Sequence, residues 1–168
     1  MIPVQNISGY WTGTITYGRG YKRLHGSVLY FEMNIIQDKE TISGTATDTG
    51  GFGSNPDPAH ITGTIIGDQI NFIKQYPSSL SFRKGEIRFD KSAKGPEIHY
   101  SGKHNETQNT LEGEWTIKMK YRFLGIFPFI YNFSGTWTDL RKKHLIPSPP
   151  KNTNAPVFTE AMLLLQDK

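Results

Sequence analysis

The chain has no cysteine, no long apolar run and no recognisable leader. Without Cys among 168 residues, disulfides, thiol nucleophiles and cysteine metal ligands are excluded. No stretch approaches the roughly 20 apolar residues that a membrane-spanning helix needs. The N-terminal sequence MIPVQNIS lacks the basic and apolar regions of a secretory signal. We therefore expect a cytoplasmic protein with no transmembrane segment.

The chain also lacks a large excess of either charge, since 19 basic and 15 acidic residues leave a net charge of only +4. The basic residues are scattered and no nucleic-acid-binding motif accompanies them, so nucleic acid is not an expected partner. The five histidines lack metal-site spacing, and no glycine-rich loop precedes a helix. We accordingly expect neither a metal nor another cofactor.

Strand signals are abundant: short alternating runs of Thr, Ile, Tyr and Phe are separated by Gly, Asn and Asp. They predict an all-β fold with a weak hairpin at 80–90 and eight main strands, near 9–17, 27–37, 41–48, 59–66, 69–76, 96–103, 110–121 and 131–141. If neighbouring strands pair as a meander, the long connections lie together at one end. These connections are residues 18–26, 49–58, 77–95 and 122–130. Because closure removes exposed edges, we favour a single closed antiparallel meander β-barrel over a sandwich.

The barrel is predicted to span residues 1–145. Residues 146–168 read as a proline-rich extended tail that ends in a short apolar helix, near 159–166. The most apolar segment, RFLGIFPFIY at 122–131, is interpreted as a loop that could cover a cavity. It could also form the buried ends of two long strands flanking Gly125, and we favour burial over exposure of this segment.

A recurring glycine pattern gives the chain a resemblance to a known superfamily. Residues 7–11 and 111–115 share the order apolar, polar, Gly, any residue, apolar, and we expect these glycines to leave room for indole rings. Gly9-Tyr10-Trp11 at the start of the first strand resembles the calycin superfamily of lipocalins, fatty-acid-binding proteins and avidins. The segments GYWTGTITYG, ISGTATD, ITGTIIGDQINF and EGEW are most similar to avidins. The resemblance implies a lipocalin-like or avidin-like barrel with a ligand cavity, but not biotin, whose contacts in the first strand are replaced here.

Alternation along each strand predicts a mostly apolar interior with polar side chains in the long-loop half. An apolar cavity with a few converging polar groups is the usual form of a small-molecule site. Two other interpretations stay open: Asp48 and Lys74 form a structural ion pair at a wet rim, or a one-residue register slip turns Lys74 outward. The predicted ligand-binding residues are Tyr17, Met33, Asp48, Lys74, Tyr76, Tyr100, Trp115 and Met119.

Three functions remain open at this point. We favour binding of a small apolar or amphipathic molecule over catalysis. The first alternative is a barrel enzyme of the isomerase or cyclase type, with Asp48, Lys74 and Tyr100 as base or oxyanion donors. The second is a structural or interaction module with a filled core, and a homo-oligomer is compatible with each. A filled interior would favour the module, an apolar pocket the binder, and a pocket with a buried, hydrogen-bonded Asp48–Lys74 pair the enzyme.

Overall fold

The computed structural model describes residues 6–83, 86–123 and 127–143 of the chain. The predicted helix at 159–166 and the predicted tail at 146–168 lie outside the described residues. Among the helices of the described ranges, none is long and apolar enough to cross a membrane.

Strands make up most of the described chain, as its content of Thr, Ile, Tyr and Phe predicts. A short 3-10 segment, Arg19–Leu24, follows the first strand. The predicted hairpin at 80–90 is present as the sixth and seventh strands. The strands are β1 Gly9–Tyr17, β2 Val28–Asp38, β3 Thr41–Gly51, β4 Ala59–Ile66, β5 Gln69–Gln75, β6 Ser79–Arg83, β7 Glu86–Asp90, β8 Ile98–Asn105, β9 Thr110–Phe123 and β10 Phe127–Lys143.

Eight of these strands form a closed barrel in the order β1-β10-β9-β8-β5-β4-β3-β2, which confirms the predicted fold class. Neighbours pair antiparallel, and the last strand closes on the first with Ile15 opposite Trp137. β6 and β7 form a separate two-stranded sheet in the connection from β5 to β8. Successive connections therefore alternate between the two ends of the barrel, and closure leaves its strands without an open edge.

The predicted long connection at residues 122–130 is wrong. β9 continues to Phe123, β10 begins at Phe127, and these two residues pair across the strands. Aromatic residues favour strands, so residues 122–123 and 127–130 extend the two strands in place of a long loop. The alternative interpretation, two long strands, agrees with this pairing, although Gly125 between them lies outside the described residues.

Three fully buried tryptophans, Trp11, Trp115 and Trp137, fill much of the barrel interior. The glycines that make room for them lie on neighbouring strands. A Cβ on Gly135 would lie 2.6 Å from Nε1 of Trp115, and a Cβ on Gly102 would lie 2.5 Å from Cζ2 of Trp137. Gly135 is the register partner of Trp115. These two glycines thus accommodate indoles across the sheet, whereas a Cβ on Gly113 would meet the backbone of Ser101 and Gly102 and not the indole of its own strand.

Candidate functional site

Segments from three connections meet above the barrel, at the end where the sequence placed the long loops. They are the 3-10 segment after β1, the loop after β3 and the segments flanking the β6–β7 hairpin. With the end of β9 they enclose a cavity of about 210 Å³, which we call the outer chamber. Its lining is mainly apolar and includes Tyr21, Leu24, Phe52, Leu80, Pro96, Ile98, Ile117 and Met119.

A second cavity of about 90 Å³, the inner chamber, adjoins the outer one and reaches into the barrel. Both chambers are lined by Tyr17, Tyr21 and Tyr76. Met33 lines neither chamber, because it lies in the core opposite Trp11 of β1. Met119 lines the outer chamber only. The other predicted site residues all line the inner chamber: Tyr17, Asp48, Lys74, Tyr76, Tyr100 and Trp115.

The inner chamber contains a buried ion pair. Lys74 Nζ lies 2.9 Å from Asp48 Oδ1, and the two side chains are only 2% and 1% exposed. Both residues point into the barrel, so β5 has the register that alternation predicts and the pair does not sit at a wet rim. A buried ion pair recovers its desolvation cost only when further hydrogen bonds satisfy its atoms.

Three donors hold the Asp48 carboxylate. Besides Lys74, the Tyr76 hydroxyl lies 2.7 Å from both carboxylate oxygens, and the Asn55 backbone N–H donates to Oδ2 at 2.9 Å. A carboxylate offers about four lone-pair positions. Lys74, Tyr76 and Asn55 supply one hydrogen each, so most of these positions are engaged within the site. Within the described residues, moreover, no group of three or more His, Cys, Asp or Glu could hold a metal ion.

Lys74 is less completely satisfied than its partner. Its ammonium lies 5.1 Å from the ring centroid of Phe31 and 4.8 Å from that of Tyr76. Burial lowers the pKa of Lys74, while the charge of Asp48 and the hydrogen bond to it act in the opposite direction. An ammonium carries three N–H donors. One reaches Asp48, and within the described part of the chain the other two have no oxygen acceptor.

Three tyrosine hydroxyls surround this pair. Burial, and then the charge of Asp48, raise the pKa of Tyr17 to about 12 and also raise the pKa values of Tyr76 and Tyr100. The Tyr17 hydroxyl donates to the Phe52 carbonyl at 2.8 Å. The Tyr100 ring stacks on Phe72 with a centroid distance of 4.5 Å, but its buried hydroxyl has no hydrogen-bond partner among the described residues. All three phenols are therefore neutral donors at physiological pH.

Some residues that build the site were not predicted. Asn55 is 3% exposed, and its side-chain amide donates to Ser78 Oγ at 3.2 Å, which ties the loop after β3 to the segment after β5. The Tyr21 ring packs against the rings of Tyr17 and Phe133, with centroid distances of 4.7 and 4.5 Å. The sequence Asn-Pro-Asp beginning at Asn55 is typical of a turn. It gave no sign that Asn55 would be buried beneath that turn.

Comparison with known proteins adds no relative to this geometry. No protein-family model, curated protein or solved structure matches the chain. The eight-stranded antiparallel barrel and its two chambers are therefore the observations from which a function can be inferred.

Proposed function

We propose that the protein binds a small, partly apolar molecule across the two chambers. The observation that carries this proposal is the apolar outer chamber beside an inner chamber where Asp48, Lys74 and Tyr100 converge. Small-molecule sites usually combine apolar walls with a few polar groups. A cavity of about 150 Å³ is known to hold a benzene-sized molecule. The outer chamber, at about 210 Å³, would accept a ring or a short branched chain.

We further infer that the barrel is of the calycin type and the protein cytoplasmic. The calycin assignment is supported by Gly9-Tyr10-Trp11 at the start of β1, where Trp11 is fully buried. The closed meander supports it as well. Absence of cysteine is compatible with a reducing compartment.

The proposal is tested by native mass spectrometry of the purified protein, to detect a retained molecule, and by a small-molecule screen with binding followed by NMR. Ile117 lines both chambers, whereas Ile66 is 60% exposed on the barrel exterior. Ile117→Phe should fill part of the cavity and weaken the binding of any hit. Ile66→Phe is the matched control and should leave binding unchanged. Absence of hits, or hits that both variants bind equally, would contradict the proposal.

A second candidate function is an enzyme of the isomerase or cyclase type on the same site. The observation that favours it is the buried, hydrogen-bonded Asp48–Lys74 pair beside the Tyr100 hydroxyl. Lys74 and Tyr100 could polarise a carbonyl as hydrogen-bond donors. Proton transfer would also need a base, however, and the Asp48 carboxylate already accepts hydrogen bonds from Lys74, Tyr76 and Asn55. Because the candidate base is already engaged in hydrogen bonds, we favour binding over catalysis.

Binding and catalysis are distinguished by the fate of a bound molecule. A hit identified in the screen is incubated with the protein for many hours and then extracted for chromatography and mass spectrometry. Recovery of the unchanged molecule supports a binding protein. Recovery of an isomer, absent after incubation with Asp48→Asn protein, supports the enzyme.

A further inference from the structure

We propose that the inner chamber selects a neutral hydrogen-bond acceptor, such as a ketone, ester or amide carbonyl oxygen, which Tyr100 and Lys74 bind together. This inference rests on the proposed binding function and specifies the chemistry of the ligand's polar end. The apolar remainder of the molecule would occupy the outer chamber.

The inner chamber has a surplus of hydrogen-bond donors. Tyr100 is 3% exposed, and among the described residues its hydroxyl has no partner. Lys74 donates one hydrogen bond, to Asp48, and its other two N–H groups find no oxygen within the described ranges. Buried polar groups are seldom left without partners in native proteins. A ligand oxygen would satisfy both side chains at once.

The charges at the two chambers also favour a neutral ligand group. Asp48 and Lys74 are the only charged side chains among the described residues that line either chamber, and they neutralise each other. A ligand carboxylate would therefore be buried with no cation of its own. Burying an uncompensated charge costs far more than burying a dipole. A ligand cation meets the same obstacle, because Lys74 already neutralises Asp48. A neutral acceptor avoids both costs.

The indole N–H of Trp115 does not extend this donor set. It too lacks a partner within the described ranges, but it lies against the backbone of Gly135, where an added Cβ would be only 2.6 Å away. Trp115 therefore contributes a ring wall to the inner chamber, and recognition of the acceptor falls to Tyr100 and Lys74.

Three probes of nearly equal size test the proposal: acetophenone as the ketone, benzoate as the carboxylate and isopropylbenzene as the apolar form. Affinities are measured by NMR titration of the full chain near neutral pH. A hydrogen bond involving a charged group contributes roughly a 10- to 100-fold gain in affinity. We expect acetophenone to bind at least about tenfold more tightly than isopropylbenzene, and benzoate to bind most weakly.

Tyr100→Phe separates recognition of the oxygen from filling of the cavity. It should weaken acetophenone binding about five- to tenfold, the loss of one hydrogen bond, and leave isopropylbenzene unaffected. Tyr30→Phe is the control, because Tyr30 is 54% exposed on the barrel exterior. Circular dichroism establishes that each variant is folded.

Each outcome bears on one proposal. If none of the three probes binds, the proposed function fails. If isopropylbenzene binds as tightly as acetophenone, or benzoate more tightly, the chamber binds ligands but the neutral-acceptor inference is overturned. The inference is also overturned if Tyr100→Phe weakens both uncharged probes equally, since Tyr100 would then act through packing alone.

Discussion

Replacing Asp48 by Asn removes the charge that balances Lys74 while keeping nearly the same shape. The Lys74 ammonium would then be left with the ring faces of Phe31 and Tyr76 and an amide oxygen. Removing one member of a buried pair typically costs about 3–5 kcal/mol. We expect Asp48→Asn to lower the free energy of unfolding by that amount at neutral pH, because the remaining charge is buried without compensation.

The structure also fixes how this loss depends on pH. The folded variant can escape burial of the charge by leaving Lys74 neutral. At pH 7, relative to an unfolded lysine pKa of about 10.4, this costs about 5 kcal/mol, and the cost falls by about 1.4 kcal/mol for each pH unit. The unfolded variant then binds one more proton than the folded one, so its stability rises with pH. At pH 9 the loss should be no more than about 2 kcal/mol.

Urea denaturation between about pH 6 and about pH 9 measures this dependence. Asp57→Asn is the matched control, because Asp57 pairs with Lys91 at 3.5 Å on the surface, where the lysine is 78% exposed. Such pairs contribute about 0–1 kcal/mol, so the control should cost little at any pH. If the loss caused by Asp48→Asn does not change with pH, the folded variant does not release the Lys74 proton, and our account of a buried charge left without compensation is refuted.

Three further predictions concern alkaline pH, packing and the C-terminal residues. Folding raises the pKa of Tyr17 to about 12 and also raises the pKa values of Tyr76 and Tyr100, so the stability that these neutral phenols contribute is complete below the unfolded pKa of about 10 and is lost as pH rises. Urea denaturation should show that the free energy of unfolding falls steeply at alkaline pH. Phe at any one of these positions should reduce the steepness of that fall by up to about 1.4 kcal/mol per pH unit. An unchanged slope would contradict this. Gly135→Val should cost at least about 1–3 kcal/mol in the same assay, because the added side chain meets both the Thr16 backbone carbonyl and the Trp115 indole. At Gly50 an added Cβ meets only a ring carbon at 3.9 Å, and equal costs would disprove the packing argument. A chain ending at His144 retains all of β10 and should keep its near-ultraviolet circular dichroism; loss of that signal would show that the omitted residues stabilise the barrel.

The fold was predictable because two local signals agreed. Alternation located the strands, and Gly, Asn and Asp located the turns, as in the two-residue connection between β4 and β5 at Gly67 and Asp68. The prediction of a long loop in RFLGIFPFIY was wrong because apolar aromatic residues are typical both of a loop that covers a cavity and of a strand. The register of β9 against β10 decides between these, and register is set by pairing across the barrel, which one strand's sequence does not contain.

The site could be predicted where its residues lie in strands, because alternation there relates sequence to side-chain direction. Asp48 lies directly before the irregularity at Thr49 in β3, and Lys74 lies in a regular part of β5, so alternation still predicts that both side chains point inward together with Tyr100. Asn55 and Tyr21 lie in connections, where no period relates sequence to direction. Their roles follow from how the loops fold over the barrel mouth, which depends on contacts such as that between Asn55 and Ser78. Met33 points inward as alternation predicts, but it lies too far from the long-loop end of the barrel to reach either chamber.

The inner chamber is costly to maintain, and this cost bears on function. Residual cavity volume destabilises by about 24 cal/mol per Å³, so the 90 Å³ of the inner chamber corresponds to about 2 kcal/mol. Replacing a buried ion pair by apolar residues of similar volume is often neutral or stabilising. An apolar side chain larger than Asp at position 48 and one of similar volume to Lys at position 74 would therefore relieve both costs, and the rest of the interior is packed with Trp, Phe and Ile. Departures from the packing rules of a core are expected where a site needs them. If the chamber served only the fold, an Asp48→Leu and Lys74→Met double variant should be at least as stable as the wild type and bind the same molecules. If it serves a ligand, that variant should gain or keep stability and lose affinity, and this separation of stability from affinity distinguishes a retained site from an imperfectly filled core.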